Sequence, residues 1–392
     1  MVKPTDFETE LAQTDKHLRE LQHAAFAEPL DSEKATKFVY RLYHRASLSG
    51  NFSDFERAEA AIDRLIARTR PKEDLCLLKA NLDFKFHRHA AVKRDFDMAP
   101  SLYGRFEGRS LKADLDFQEG RYEEARKQYE ALIEEERTWD NLARLAYFKG
   151  KMGDVDAADA LFVEAEDELT AKEMRSFAWV ELQRGVLDVT RGKYDEALEH
   201  YRRAERAYSG FWFVDEHVAE VLAAQGKYDE AIALYQSVLS RVMKPEVDQA
   251  LGELYRFLNK ADLAQAHFEN ALRAFLESAE QGHVHYYHHL TELYANVYKN
   301  GPQAVRWARA DLAVRENFAT QGGLAWALYR DGQFAGALEW SDKALSSGVR
   351  DSHLFHQAAH INEALGRVAE HDELMRRSKA INPEHARFHV HH

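Results

Sequence analysis

Histidine is the residue type through which this chain could most readily do chemistry. Twenty are present, and eleven fall in three groups: His283, His285, His288 and His289; His353, His356 and His360; and His385, His389, His391 and His392. The middle group is spaced three and then four, which places its imidazoles on one face of a helix. Neutral imidazoles at i and i+4 can share a divalent transition metal such as Zn, Ni or Cu. His353, His356 and His360 are therefore the candidate metal site, without a His-Glu-x-x-His motif to support it. Other chemistries find no footing. The single cysteine, Cys76, sits among Leu75, Leu77 and Leu78 and reads as a buried thiol. Acidic runs such as Glu134-Glu135-Glu136 and Glu166-Asp167-Glu168 lie in amphipathic segments and read as solvated faces. No Gly-x-Ser-x-Gly and no phosphate-binding glycine loop occurs, so no catalytic residues are assigned and no enzyme is expected. No cofactor is expected either, with a divalent transition metal as the alternative.

Composition narrows the partners. With 53 Lys and Arg against 66 Asp and Glu, the 392-residue chain carries a net charge of −13. Sequence-independent binding to nucleic acid or to an anionic membrane needs dense Lys/Arg, and no such run exists. The first residues, Met1 to Asp6, lack an apolar core, and no stretch approaches 18 apolar residues. The chain reads as cytoplasmic and soluble, with an exported protein that has lost its signal peptide as the alternative.

The elements that position these residues are announced by a repeated phrase. Gly192-Lys193-Tyr194-Asp195-Glu196-Ala197 returns as Gly226-Lys227-Tyr228-Asp229-Glu230-Ala231. Counting outward places turns at Ser53, His87, Gly120, Gly153, Gly192, Gly226, Asn259, Lys299, Gly332 and Gly366, mostly 33 or 34 residues apart. Two intervals, 39 and 40, mark insertions near 166–177 and 274–285, both read as lengthened helices. Seven residues before each turn stands a small residue, Ala46, Ala80, Ala113, Ala146, Gly185, Ala219, Gly252, Ala325 or Ala359, with Glu292 the exception. Alanines also recur five residues after most turns. Small residues at these offsets let two antiparallel helices approach closely, and aromatics such as Tyr129, Phe162, Tyr201, Tyr235 and Phe268 fill the space against the next hairpin.

This pattern resembles the tetratricopeptide repeat family, whose 34-residue unit is a helix–turn–helix. The resemblance covers about residues 39–385 and implies an all-α fold: an α-solenoid, a right-handed superhelix of about ten antiparallel hairpins with an N-terminal capping helix. Residues 1–38 then form the cap and linker, 39–385 the array, and 386–392 a histidine-containing tail. A change of curvature at the insertions would divide the array into 39–170, 171–280 and 281–385.

The resemblance also implies a binding groove lined by the first helix of each hairpin. Its candidate residues here are Tyr147, Trp179, Phe213, Glu216, Glu220, Glu253, Tyr286, His289, Trp326, Tyr329 and Arg330. That lining is rich in aromatics and net negative, which suits a protein or extended peptide with apolar anchors and some basic residues. The expected function is a non-enzymatic protein-binding scaffold, with a metal-binding protein built on His353, His356 and His360 as the alternative. Homo-oligomerisation through an array end is compatible with both.

Overall fold

The computed structural model describes residues 6–69 and 72–384, so the histidine tail lies outside the described residues. Among them every regular element is helical. Helix α1 (Phe7–Gln22) precedes ten hairpins. The first five are α2 (Ser32–Ser49) with α3 (Phe52–Arg68), α4 (Glu73–Lys85) with α5 (His89–Met98), α6 (Phe106–Gln118) with α7 (Tyr122–Glu135), α8 (Trp139–Lys151) with α9 (Val155–Asp167), and α10 (Met174–Val189) with α11 (Tyr194–Ala207). The second five are α12 (Trp212–Ala224) with α13 (Tyr228–Arg241), α14 (Pro245–Phe257) with α15 (Ala261–Glu280), α16 (Tyr287–Glu292) with α17 (Gly301–Val314), α18 (Phe318–Arg330) with α19 (Phe334–Leu345), and α20 (Ser352–Ala364) with α21 (Val368–Ile381). None of these helices is long and apolar enough to cross a membrane.

Nine of the ten expected turn residues adopt the left-handed conformation. Even the non-glycines do so, with φ of 57° at His87, 56° at Asn259 and 50° at Lys299. The first turn departs. Its left-handed residue is Gly50 (φ 64°), while Ser53 lies inside α3. Ala46 and Ala58 are wholly buried as expected, so the close approach of the helices is kept. The chain reverses almost one helical turn earlier, at a residue where a Cβ would meet the Trp212 ring at 2.5 Å and only glycine fits.

All nine small residues that precede the turns are buried. A Cβ at Gly252 would lie 2.7 Å from the Phe268 ring, and one at Gly185 would overlap Tyr201. These aromatics therefore seat on the first helix of their own hairpin; Tyr201 then reaches His217 of the next at 5.9 Å between centroids. Glu292, the exception, immediately precedes a π-helical turn over Leu293–Val297. The insertions differ from each other. Helix α15 is lengthened to 20 residues and closes at Gly282 (φ 85°), as expected. Helix α9 keeps an ordinary 13 residues; the additional residues form a turn in which Thr170 donates to the Glu173 carboxylate at 2.8 Å, ahead of a 16-residue α10. Apolar packing continues across both places, through Val180 and Leu187 at the first and Tyr286 and Leu290 at the second.

The ten hairpins form two coils, and the second lies directly on the first. Asp6 bridges Ser209, and Phe7 donates its backbone N–H to the Ser209 carbonyl at 3.0 Å. Trp212 Nε1 donates to the Leu48 carbonyl at 2.8 Å. Asn317 Nδ2 donates to the Gln118 carbonyl at 2.9 Å, Phe318 N to the Tyr122 hydroxyl at 2.7 Å, and Arg350 N to the Met152 carbonyl at 3.2 Å. The turns at Gly50, His87, Gly120 and Gly153 thus meet connections between hairpins of the second coil, and Gly192 meets Asn382 and Glu384 beyond its last helix. Helix α1 belongs to this seam as much as to the cap, because the Glu10 carboxylate accepts from Tyr208 at 2.6 Å while facing His44 at 3.0 Å.

Candidate functional site: the first-helix face and the imidazole seam

The first helices of the second coil stand side by side and exchange polar contacts around the π-turn. A π-turn shifts the i→i−4 register and leaves carbonyls seeking donors. Arg330 Nε supplies one to the Ala295 carbonyl at 2.9 Å, and Arg256 supplies another to the Asn296 carbonyl at 3.1 Å. The Asn296 side chain accepts from Trp326 Nε1 at 2.9 Å. The Trp326 ring, held in this way, stacks on Tyr329 with centroids 4.8 Å apart and planes at 19°. The Arg330 guanidinium lies 5.8 Å from the Trp326 centroid, and Phe334 continues the row 5.7 Å from Tyr329. Trp326 and Tyr329 are half-buried and Arg330 is exposed, so this platform combines fixed rings with open faces.

The acids expected in the groove are largely engaged. Glu216, Glu220 and Glu253 are buried at 7%, 3% and 9% exposure, depths at which a carboxylate needs partners. Glu253 pairs with Arg256; burial raises its pKa while Arg256 opposes the rise. Asp114 and Asp140 share Arg144. Lys244, which the sequence pattern did not single out, pairs with Glu246 at 2.6 Å. Burial works against the Glu246 charge, but Lys244 with His289 and His285 outweighs it and brings the carboxyl down to about 2.

Three other aromatic candidates serve packing as well as surface. Tyr147 carries Lys151 at 5.4 Å from its ring, Trp179 packs edge-on to Phe162 at 6.3 Å, and Phe213 packs on His217 at 4.8 Å. Tyr286 and His289 lie in the seam. Tyr286 is 5% exposed, with its ring 4.6 Å from Phe275 and 6.3 Å from Phe52 of the first coil. His289 stacks on Phe275 at 4.9 Å, and its Nδ1 lies 2.9 Å from Gln249 Oε1.

The first histidine group finds its place here. The ring of His283 lies 4.5 Å from Phe52, and that of His285 lies 5.5 Å from His87 of the first coil. Burial pushes His285 and His89 down to about 4 and holds His87 and His288 well below the ordinary imidazole range, with the Arg315 cation adding to the effect on all four. These imidazoles are neutral at pH 7. Their grouping was visible in the sequence, but their partners, a whole coil away, carry no local signal.

The second group is divided. His356 and His360 face each other with Nε2 atoms 3.2 Å apart, and His360 Nδ1 lies 3.2 Å from Glu363. His353 turns to Gln357, 2.6 Å from its Nε2. Among the described residues no three His, Cys, Asp or Glu side chains converge as a metal shell would require.

The profile of the tetratricopeptide repeat matches residues 182–245, and that of the TT21 fifth ARM repeats domain matches residues 107–210. No curated protein matches. Similar solved structures include the APC/C hetero-tetramer Cut9-Hcn1 at 16% identity and a TM-score of 0.45, covering 96% of this chain and 79% of that one. Yeast Tom70 is similar at 12% identity and a TM-score of 0.43, covering 94% of this chain and 89% of its own. A human IFIT1 dimer with m7Gppp-AAAA is similar at 15% identity and a TM-score of 0.49, covering 86% and 77% respectively.

Proposed function

We propose that the chain is a tetratricopeptide-repeat protein, a non-enzymatic scaffold holding a protein or extended peptide on the first-helix face of its second coil. The observation that carries this reading is the Trp326–Tyr329 stack, fixed from below by Asn296 and flanked by Arg330. Pre-positioned aromatics offer large contact area at little entropic cost, which is why they dominate recognition surfaces. The ligand that fits has apolar or aromatic anchors for the platform, with polar and basic groups beside the exposed Glu363. Selection from a displayed peptide library against the full chain tests the reading. Peptides with apolar anchors should emerge, and Trp326→Ala/Tyr329→Ala should weaken them at least about tenfold. Unchanged affinity in the double variant would remove the platform from the account.

A second reading rests on His356 and His360. Their 3.2 Å separation is close to the ~3.3 Å between adjacent nitrogens of a tetrahedral Zn shell. A divalent transition metal would take these two as ligands, with water or a partner's donors completing the shell.

A further inference from the structure

The turn edge of the first coil is covered, whereas the equivalent edge of the second is open. At Gly50, Gly120 and Gly192 an added Cβ would meet the second coil at 2.5, 2.6 and 2.6 Å. At Gly332 and Gly366 it would meet nothing within 4 Å. The residue two positions after each turn follows the same division. In the first coil Phe52 packs against His283 and Tyr122 packs against Phe318 at 6.0 Å. In the second coil the corresponding residues are Phe334 and Val368, 36% and 64% exposed, with Leu365 beside them at 37%. The open edge therefore keeps apolar residues at the position that is covered one coil below.

The opposite edge, formed by the connections of the first coil, is open too and resembles what covers the seam. In the seam, Trp212 and Phe318 are the first residues of α12 and α18; on the open edge Phe106 and Trp139 begin α6 and α8 in the same way. Tyr103, in the connection before α6, is 45% exposed. The exposed charges are complementary in part: Lys227, Lys260 and Lys299 follow or occupy open turns, with Asp229 and Asp262 close by, while Glu135, Glu136 and Glu168 stand on open connections together with Arg137 and Lys172. The exposed apolar position, the opposed charges and continuity with the intramolecular seam specify one occupant. We propose that a second copy of this chain seats its first-coil connections on the second-coil turns, continuing the superhelix head to tail.

Such a contact is heterologous and does not close on itself, so assembly is open-ended. Sedimentation of the full chain over about a thousandfold concentration range tests it. The expected mass rises past that of a dimer, and salt lowers it. Val368→Asp on the turn edge and Tyr103→Asp on the connection edge should each leave a monomer. Their equimolar mixture should form a dimer and no more, because one intact interface remains. Leu365→Asp replaces Val368→Asp should that variant lose its helical circular dichroism. A wild-type chain that stays monomeric throughout overturns the proposal, as does a mixture that stays monomeric or a single variant that assembles like wild type.

Discussion

The His283 imidazole and the Phe52 ring lie 4.5 Å apart, joining the first hairpin to the connection between the seventh and eighth. His285 repeats the contact one step along, against His87 at 5.5 Å. The solenoid is thus a two-coil body whose layers meet through neutral imidazoles.

That seam sets a pH dependence. His87, His89, His285 and His288 titrate below the ordinary 6.5, His285 and His89 at about 4. The charges around them are Glu246, Lys244 and Arg315, with Lys93, Glu119 and Arg121 near His89 and Glu56, Glu59 and Arg88 near His283. A folded-state pKa below the open-state value means that the opened seam binds more protons, so stability is full above 6.5 and is lost as pH falls toward 4. For the fully enclosed His89 the loss is up to about 3 kcal/mol. Small-angle scattering should show the chain expanding below about pH 5 while its helicity persists. His285→Gln should move the onset to lower pH. A radius of gyration constant down to about pH 4 would contradict the seam's role.

The turn glycines should divide by coil. Gly332→Ala meets open space and costs only the left-handed backbone, about 1 kcal/mol. Gly120→Ala adds a clash with the Glu316 carbonyl, its Cβ only 2.6 Å away, and should cost about 1–3 kcal/mol more. Urea denaturation of both variants measures the difference. Equal costs would mean the coils do not press together.

Lys244 and Glu246 make a partly enclosed pair, each side chain 14% exposed. Lys244→Met leaves the Glu246 carboxylate without its principal counter-charge and should destabilise the fold by about 3–5 kcal/mol. Lys244→Met/Glu246→Gln should recover most of that, read as the shift in urea midpoint. A single variant as stable as wild type would show the pair to be dispensable.

How much of this was legible beforehand differs by level. Hairpins repeat every 33 or 34 residues, so small residues such as Ala113 and Gly252 mark the helix contacts locally, and His87, Asn259 and Lys299 could be placed at left-handed turns without being glycine. Gly50 escaped because the count followed the Ala46–Ala58 pair, which the early turn does not disturb. The seam escaped for a different reason. Which connection meets which turn depends on small rotations summed over a whole coil, and no local pattern records that sum. Tyr286 and His289 accordingly looked like groove residues, while Lys244 and Arg315 went unmarked. The Trp326–Tyr329 platform was legible as positions; its fixation by the π-turn was not.

Calorimetric titration of Zn into a chain ending at Glu384 examines the second histidine group. Binding should be lost in His360→Ala and kept in His353→Ala, since only His356 and His360 face each other. Equal losses in both would restore the three-histidine arrangement.

Photo-crosslinking tests the central claim most directly. A photoreactive residue at position 329, beside Trp326, is compared with one at position 163, where Val163 is 39% exposed on α9. With a peptide selected on the full chain, the account predicts an adduct at 329 and none at 163. An adduct at 163 alone, or at neither position while the peptide stays bound, would contradict it.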